Sequence, residues 1–179
     1  MSLIKIGLTI IAVTLMTATA VVAKDDGPHL SLKLNQKDNL IHLKVYLNPE
    51  GTKISGVETT IKFPTQNLKF KNYQTTGLLP VEVISPHETE NGISFSLAIS
   101  PQQPEVTKEG ELLELEFLKV GSGQYQLETE NTIITSLESK INLASQEARV
   151  QSSNGSFWSK LMTLLKKILA IFKTKEVSK

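Results

Sequence analysis

The chain has 179 residues, of which 40% are hydrophobic and 21% charged, and this size excludes a large multidomain enzyme. A net charge of +1 provides no basic field for a phosphate backbone, so nucleic acid is not expected as a partner. The absence of cysteine excludes disulfides, thiol nucleophiles and cysteine-based zinc sites.

Residues 1–23 have the pattern of a secretory signal. A short start containing Lys5 precedes residues 6–23, which carry no charged side chain, and Val21 and Ala23 are small residues at the positions that a signal peptidase reads. We predict export to the extracellular side, with the segment either cleaved after Ala23 or kept as a membrane anchor. Residues 24–28 would form a short linker.

Hydrophobic residues recur with a period of two between residues 29 and 150, as in β-strands that bury one face. The residues predicted to face the core are Leu30, Leu32 and Leu34; Ile41, Leu43, Val45 and Leu47; Val57, Thr59, Ile61 and Phe63; Leu68 and Phe70; Ile93, Phe95, Leu97 and Ile99; and Leu113, Leu115 and Phe117. Weaker strands are predicted at 81–84, 125–127, 133–134, 141–143 and 148–150. Turn residues separate these runs, and Asn91-Gly92 predicts a hairpin.

This pattern predicts an all-β fold, an antiparallel β-sandwich or jelly roll of about nine strands that occupies residues 29–150. After it, residues 151–156 form a small polar linker. The predicted organisation is therefore one β-sandwich domain between two terminal segments.

Residues 157–175 have the pattern of a cationic amphipathic helix. Two lysines at the centre disfavour a membrane-spanning helix, whereas an apolar stripe beside a lysine-rich face favours the membrane surface. The residues expected to contact the membrane are Trp158, Leu161, Leu165, Ile168 and Phe172, with Lys166 and Lys167 at the headgroups. The alternative is a helix that packs on the domain or on a partner helix.

The sequence offers no assembled catalytic or metal site. His29, His42 and His87 are far apart, so no metal and no cofactor are expected, and His42 is interpreted as a solvated surface residue. Glu114 and Glu116 would project from one strand face about 7 Å apart. We interpret them as solvated charges rather than a hydrolytic pair, and the chain is not expected to be an enzyme.

Five segments within the predicted strands carry a further signal: residues 43–48 (LKVYLN), 54–57 (ISGV), 59–63 (TTIKF), 91–98 (NGISFSLA) and 110–117 (GELLELEF). The first three resemble the opening strands of a bacterial cohesin domain, and the last two resemble its second half. The resemblance covers residues 29–151. It departs at Phe63-Pro64-Thr65, where the family usually has Tyr-Asp-Pro, so the turn differs.

The resemblance implies a nine-stranded jelly roll related to carbohydrate-binding modules, which binds dockerin modules through one sheet face. The outward residues on the matching strands, and thus the expected partner-binding residues, are Glu58, Thr60, Lys62, Ser94, Ser96 and Ala98. The same residues are also compatible with an ordinary solvent-exposed face of a β-sandwich. The alternative function is a carbohydrate-binding module, for which Tyr46 is the candidate aromatic residue and polysaccharide the ligand.

Overall fold

The computed structural model describes residues 16–19, 27–138 and 148–152, which form ten β-strands and, within those ranges, no helix. The strands are β1 (Met16–Thr19), β2 (His29–Lys37), β3 (Leu40–Asn48), β4 (Gly56–Lys62), β5 (Leu68–Thr75), β6 (Val81–Thr89), β7 (Gly92–Ala98), β8 (Gly110–Lys119), β9 (Gln126–Thr135) and β10 (Arg149–Gln151).

The strands form two five-stranded sheets. The first sheet has the order β1-β2-β3-β8-β5, and the second has the order β10-β9-β4-β7-β6. Each pair of neighbouring strands is antiparallel. The prediction of an all-β fold with antiparallel pairing is confirmed. Because four of the eight neighbouring pairs are not consecutive in the chain, each sheet brings together residues from separate parts of the sequence.

Strict alternation accounts for the best-defined strands. In β3 every second residue from Ile41 to Leu47 is buried, and the residues between them are half-buried on the outer face. β7 shows the same alternation from Ile93 to Leu97. A one-residue shift would expose these hydrophobic residues to water, so their burial fixes the register of each strand.

The core lies between the sheets and contains the residues that the period of two predicts, with three exceptions: Phe63, Phe70 and Ile99 are only partly buried. The rings of Phe63 and Phe70 nevertheless pack against Phe117, at centroid distances of 4.9 and 5.9 Å. Such tilted and edge contacts stabilise by roughly 0.5 to 1.5 kcal/mol beyond the burial of area. Leu79 and Leu112 are buried in addition.

Buried threonines satisfy their hydroxyl groups within the second sheet. Thr59 and Thr132 share a hydrogen bond of 2.8 Å, and the hydroxyl oxygen of Thr129 accepts a hydrogen bond of 2.9 Å from the backbone N–H of Ala148. An unpaired buried hydroxyl would cost about 1 to 3 kcal/mol, so these bonds explain why threonine is tolerated at inward positions.

Both terminal segments fall largely outside the described residues. β1 lies within the predicted export segment and pairs with residues 33–36 of β2. The rest of residues 1–23, the strand predicted at 141–143 and the whole of residues 157–175 are outside the described part of the chain. Export, cleavage and membrane contact therefore stay predictions. No helix among the described residues is long and apolar enough to cross a membrane.

Candidate partner-binding face

The outer face of the first sheet is cross-linked by ionic contacts between β3 and β8. His42 Nδ1 lies 2.6 Å from Glu114 Oε1, and Lys44 Nζ lies 2.9 Å from Glu111 Oε2 and 3.4 Å from Glu114 Oε2. The hydrogen bond to Glu111 raises the pKa of Lys44, against the effect of burial. His42 is thus on the outer face, as predicted, but it is half-buried and paired rather than simply solvated.

Glu114 and Glu116 are each paired with basic side chains of a neighbouring strand. Glu114 contacts His42 and Lys44, whereas Glu116 Oε1 accepts a hydrogen bond of 2.9 Å from Lys71 on β5. Both carboxylates are partly exposed. The geometry agrees with the interpretation of these residues as a surface charge pattern.

Tyr46, the candidate for stacking on a sugar, is engaged within the same outer face. Lys33 Nζ lies 4.0 Å from the centroid of its ring, and its hydroxyl donates a hydrogen bond of 3.1 Å to Glu111 Oε2. Burial, and next the hydrogen bond to Glu111, raise the pKa of Tyr46. Because a lysine covers the ring, the ring offers less free surface to a sugar than an open aromatic would.

The second sheet brings the six predicted partner-binding residues together. Glu58 is paired with Ser96 and Thr60 with Ser94 on the neighbouring strands β4 and β7, and Ala98 lies opposite Gly56. Directly paired residues point to the same face. The hydroxyls of Thr60 and Ser94 share a hydrogen bond of 2.8 Å.

Exposed hydrophobic residues surround one half of this face. Glu58 is also paired with Ile133 of β9, and Ser96 with Ile84 of β6, so one row across four strands reads Ile133, Glu58, Ser96 and Ile84. Among the described residues, the exposed large hydrophobics of the second sheet and its flanking loop are Val81, Val83, Ile84, Ile133 and Leu137. The first sheet and its loops contribute Leu118 and Val120.

Three of the exposed hydrophobic side chains of the second sheet and its flanking loop line a shallow groove of about 340 Å³. Gly56, Ser96 and Ala98 line it together with Val83, Ile133 and Leu137, and the last is 75% exposed. Leu137 is held in place because its backbone N–H donates a hydrogen bond of 2.8 Å to Glu105 Oε1, as does the hydroxyl of Ser136, at 3.1 Å. We call this half of the outer face of the second sheet the apolar groove.

The other half of the face is polar. Lys62 Nζ lies 2.6 Å from Glu130 Oε1, beside the hydrogen-bonded pair of Thr60 and Ser94. The six predicted residues therefore divide into two groups: Ser96, Ala98 and Glu58 at the apolar groove, and Thr60, Ser94 and Lys62 at the polar half.

Sequence reasoning missed the hydrophobic residues of the groove. A usable signal was present in Ile133-Ile134, because two successive residues of a strand point to opposite faces, so one isoleucine had to face outward. Val81 and Val83 gave no comparable signal, since β6 has register shifts on both sides of Ile84 and does not alternate. The predicted membrane-contact residues, Trp158 to Phe172, lie outside the described residues.

Comparison with known proteins identifies the architecture. The cohesin module of a family 33 glycoside hydrolase from Clostridium perfringens has a TM-score of 0.58 and 11% identity, covering 71% of this chain and 96% of the module. The sixth cohesin of scaffoldin B from Acetivibrio cellulolyticus has a TM-score of 0.56 and 12% identity, covering 68% and 96%. The chain has the cohesin fold. The resemblance noted in the sequence is thereby confirmed at the level of the fold.

A third cohesin, from Clostridium thermocellum, has a TM-score of 0.53 and 9% identity, covering 73% of this chain and 96% of its own. That cohesin and the one from A. cellulolyticus were solved in complex with dockerin modules. The sequence matches no protein-family model and no curated protein. The chain thus shares the two-sheet framework of these cohesins at identities of 9 to 12%.

Proposed function

We propose that the domain is a non-catalytic binding module that holds a dockerin-like protein on the outer face of its second sheet. The observation that carries this proposal is the apolar groove, where the exposed side chains of Val83, Ile133 and Leu137 line the same depression as Ser96 and Ala98. Exposed apolar residues that cluster on one face are typical of protein contact sites. The cohesin fold, and the dockerins bound to two of the similar cohesins, support the choice of partner.

The contrast between the two outer faces supports the choice of face. On the first sheet the charged residues of β3, β5 and β8 pair with one another. A partner that docked there would have to replace these contacts, which costs desolvation without new apolar burial. On the second sheet small side chains leave the groove open, so a partner can bury Ile133, Val83 and Leu137 by direct contact.

Binding titrations of the full chain against a panel of calcium-loaded dockerin modules test this function. We expect at least one module to bind saturably, and Ser96→Arg or Ala98→Arg to weaken that binding at least tenfold, because a long charged side chain would fill the groove. The matched control is Gln74→Arg, an exposed residue on the first sheet, which should leave the affinity unchanged.

The proposal fails if no dockerin of the panel binds. It fails equally if arginine at positions 96 and 98 has no more effect than arginine at position 74. Circular dichroism of each variant shows whether a loss of binding reflects a loss of folding.

We further propose that the domain works outside the cell, with residues 1–23 directing export and residues 157–175 resting on the membrane surface. The support is the uncharged stretch at 6–23 and the lysine-rich amphipathic pattern near the end of the chain. A surface-held receptor of this kind would keep its partner near the bilayer.

A further inference from the structure

A second concave site lies at the end of the sandwich opposite the apolar groove. It is an open cleft of about 450 Å³ between the turn that follows β4, the β6–β7 hairpin and the connection that leads into β9. Lys62, the last residue of β4, lines the cleft, whereas Gly56, the first, lines the apolar groove. At roughly 3.3 Å per residue the two sites are about 20 Å apart along this strand.

Side-chain amides dominate the lining of this cleft. The five that line it are Gln66, Asn67, Asn91, Gln124 and Gln126. Each amide presents a hydrogen-bond donor beside an acceptor, a combination that matches the hydroxyl groups of a polyol. Within the described part of the chain the side chains of Gln66, Asn91 and Gln124 have no hydrogen-bond partner, and all three are exposed, so their donors and acceptors face solvent.

Asn67 fixes the wall of the cleft. Its side-chain Nδ2 donates a hydrogen bond of 2.9 Å to the carbonyl of Gln124, and its own carbonyl accepts from the N–H groups of Val120, at 2.9 Å, and Gly121, at 3.2 Å. A Cβ at Gly121 would come within 2.6 Å of Asn67 Oδ1, so glycine permits this close contact. The two loops are thus joined in the free domain, which lowers the entropic cost of binding a ligand.

The charges around the cleft favour a neutral ligand. Lys62 is paired with Glu130 and Arg149 with Glu128, at 2.6 and 3.1 Å. Glu90 adds a further carboxylate to the lining, which disfavours an anion. The partly buried ring of Phe63 supplies apolar surface between these polar groups, as a sugar ring requires.

We propose that this amide-lined cleft binds a neutral oligosaccharide, at a site separate from the apolar groove. The cleft volume is within the range of about 300 to 1,000 Å³ that is common for small-molecule sites. The proposal does not depend on the dockerin-like partner. The proposed sugar site lies in the loops at one end of the sandwich, whereas Tyr46, the candidate from the sequence, lies on the first sheet.

Isothermal titration calorimetry of the full chain with cellohexaose, xylohexaose and mannohexaose tests the site. In parallel, ¹⁵N NMR spectra recorded during the titration follow the signals of the side-chain amides. We expect one of these sugars to bind and to shift the NH₂ signals of Asn91 and Gln124. Asn91→Ala and Gln124→Ala should each weaken binding about fivefold, the effect of one lost hydrogen bond. Gln102→Ala, an exposed amide elsewhere, should have no effect.

Two further variants separate this site from the others. Ser96→Arg should leave sugar binding unchanged, and Tyr46→Ala should also leave it unchanged because Tyr46 is on the other sheet. The proposal is overturned if none of the three sugars binds, or if binding survives the double change at positions 91 and 124. Loss of binding on Tyr46→Ala alone would place the sugar on the first sheet and equally overturn it. Failure here leaves the dockerin titration unaffected.

Discussion

Tyr125 is among the largest side chains that the sandwich buries, and only 2% of it is exposed. Its hydroxyl donates a hydrogen bond of 2.8 Å to Gln36 Oε1 on the first sheet, so the residue joins the two sheets near the amide-lined cleft. Burial raises the pKa of Tyr125 to about 12 from the usual 10.0. Burial of this phenol thus links the stability of the fold to alkaline pH.

We predict that the free energy of unfolding falls as the pH rises above 10. Between pH 10 and 12 the unfolded chain releases the Tyr125 proton while the folded chain retains it, so ionisation favours the unfolded state. The stabilisation is complete below pH 10, and its loss reaches about 2 kcal/mol at pH 12. Urea melts at pH 8 to 12 measure the slope.

Tyr125→Phe is the comparison for this slope. It lacks the titrating group and the hydrogen bond to Gln36, so it should be about 1 kcal/mol less stable at pH 8. The difference between the two proteins should shrink above pH 10 and change sign by pH 12, because the loss of about 2 kcal/mol exceeds the advantage at pH 8. If the free energies of unfolding of the two proteins change with pH in parallel, Tyr125 is not the group that titrates.

At the scale of the element, the β6–β7 hairpin shows what a local motif determines. Asn91-Gly92 predicts a tight turn, and the structure pairs Thr89 with Gly92 across Glu90 and Asn91. The motif does not reveal why glycine is needed. Gly92 has φ of +146°, and a Cβ there would overlap the backbone carbonyl of Ile61 on β4, a contact that only the assembled sheet creates.

Gly92→Ala is therefore expected to destabilise the fold by roughly 3 kcal/mol or more, since it adds a backbone clash to an unfavourable φ. The control is Gly51→Ala, because Gly51 also has positive φ, +79°, but nothing lies within 4 Å of the added Cβ. That change should cost about 1 kcal/mol. Equal losses in urea denaturation would show that the contact with Ile61 is not tight.

The strands themselves were predictable to different degrees. β3 and β7 alternate without interruption, so the sequence predicts both their positions and their buried sides. β6 was predicted only at 81–84 but extends to Thr89, because two register shifts break its alternation and eight of its nine residues are exposed. A strand at a sheet edge with little burial leaves no periodic pattern to detect.

At the scale of the whole molecule, the second sheet carries the apolar groove at one end and the amide-lined cleft at the other. β10, the last described strand, pairs with residues 126–128 of β9, at the cleft end. The predicted amphipathic segment, residues 157–175, follows it in the chain. A membrane-resting tail would thus be linked to the domain at the end away from the groove, leaving that groove open to a partner.

Flotation with vesicles that contain anionic lipid measures the role of the tail. We expect the full chain to float, and a chain lacking residues 157–179 to stay in the dense fraction unless residues 1–23 are retained as an anchor. A chain starting at Lys24 removes that ambiguity. Salt should weaken flotation, since each lysine near an anionic surface contributes about 1 kcal/mol through charge. Salt-independent flotation, or none, would contradict the predicted surface contact.

The β-sandwich class and the outward residues of the regular strands follow from the amino-acid pattern, because a period of two assigns each residue to one side without knowledge of the neighbouring strand. Which outward residues meet depends instead on the order of the strands in the folded sheet. The order β9-β4-β7-β6 places Ile133, Glu58, Ser96 and Ile84 in one row although they are far apart in the chain. Pairing between distant strands depends on the packing of the whole core, and the local pattern of a strand carries no information about it.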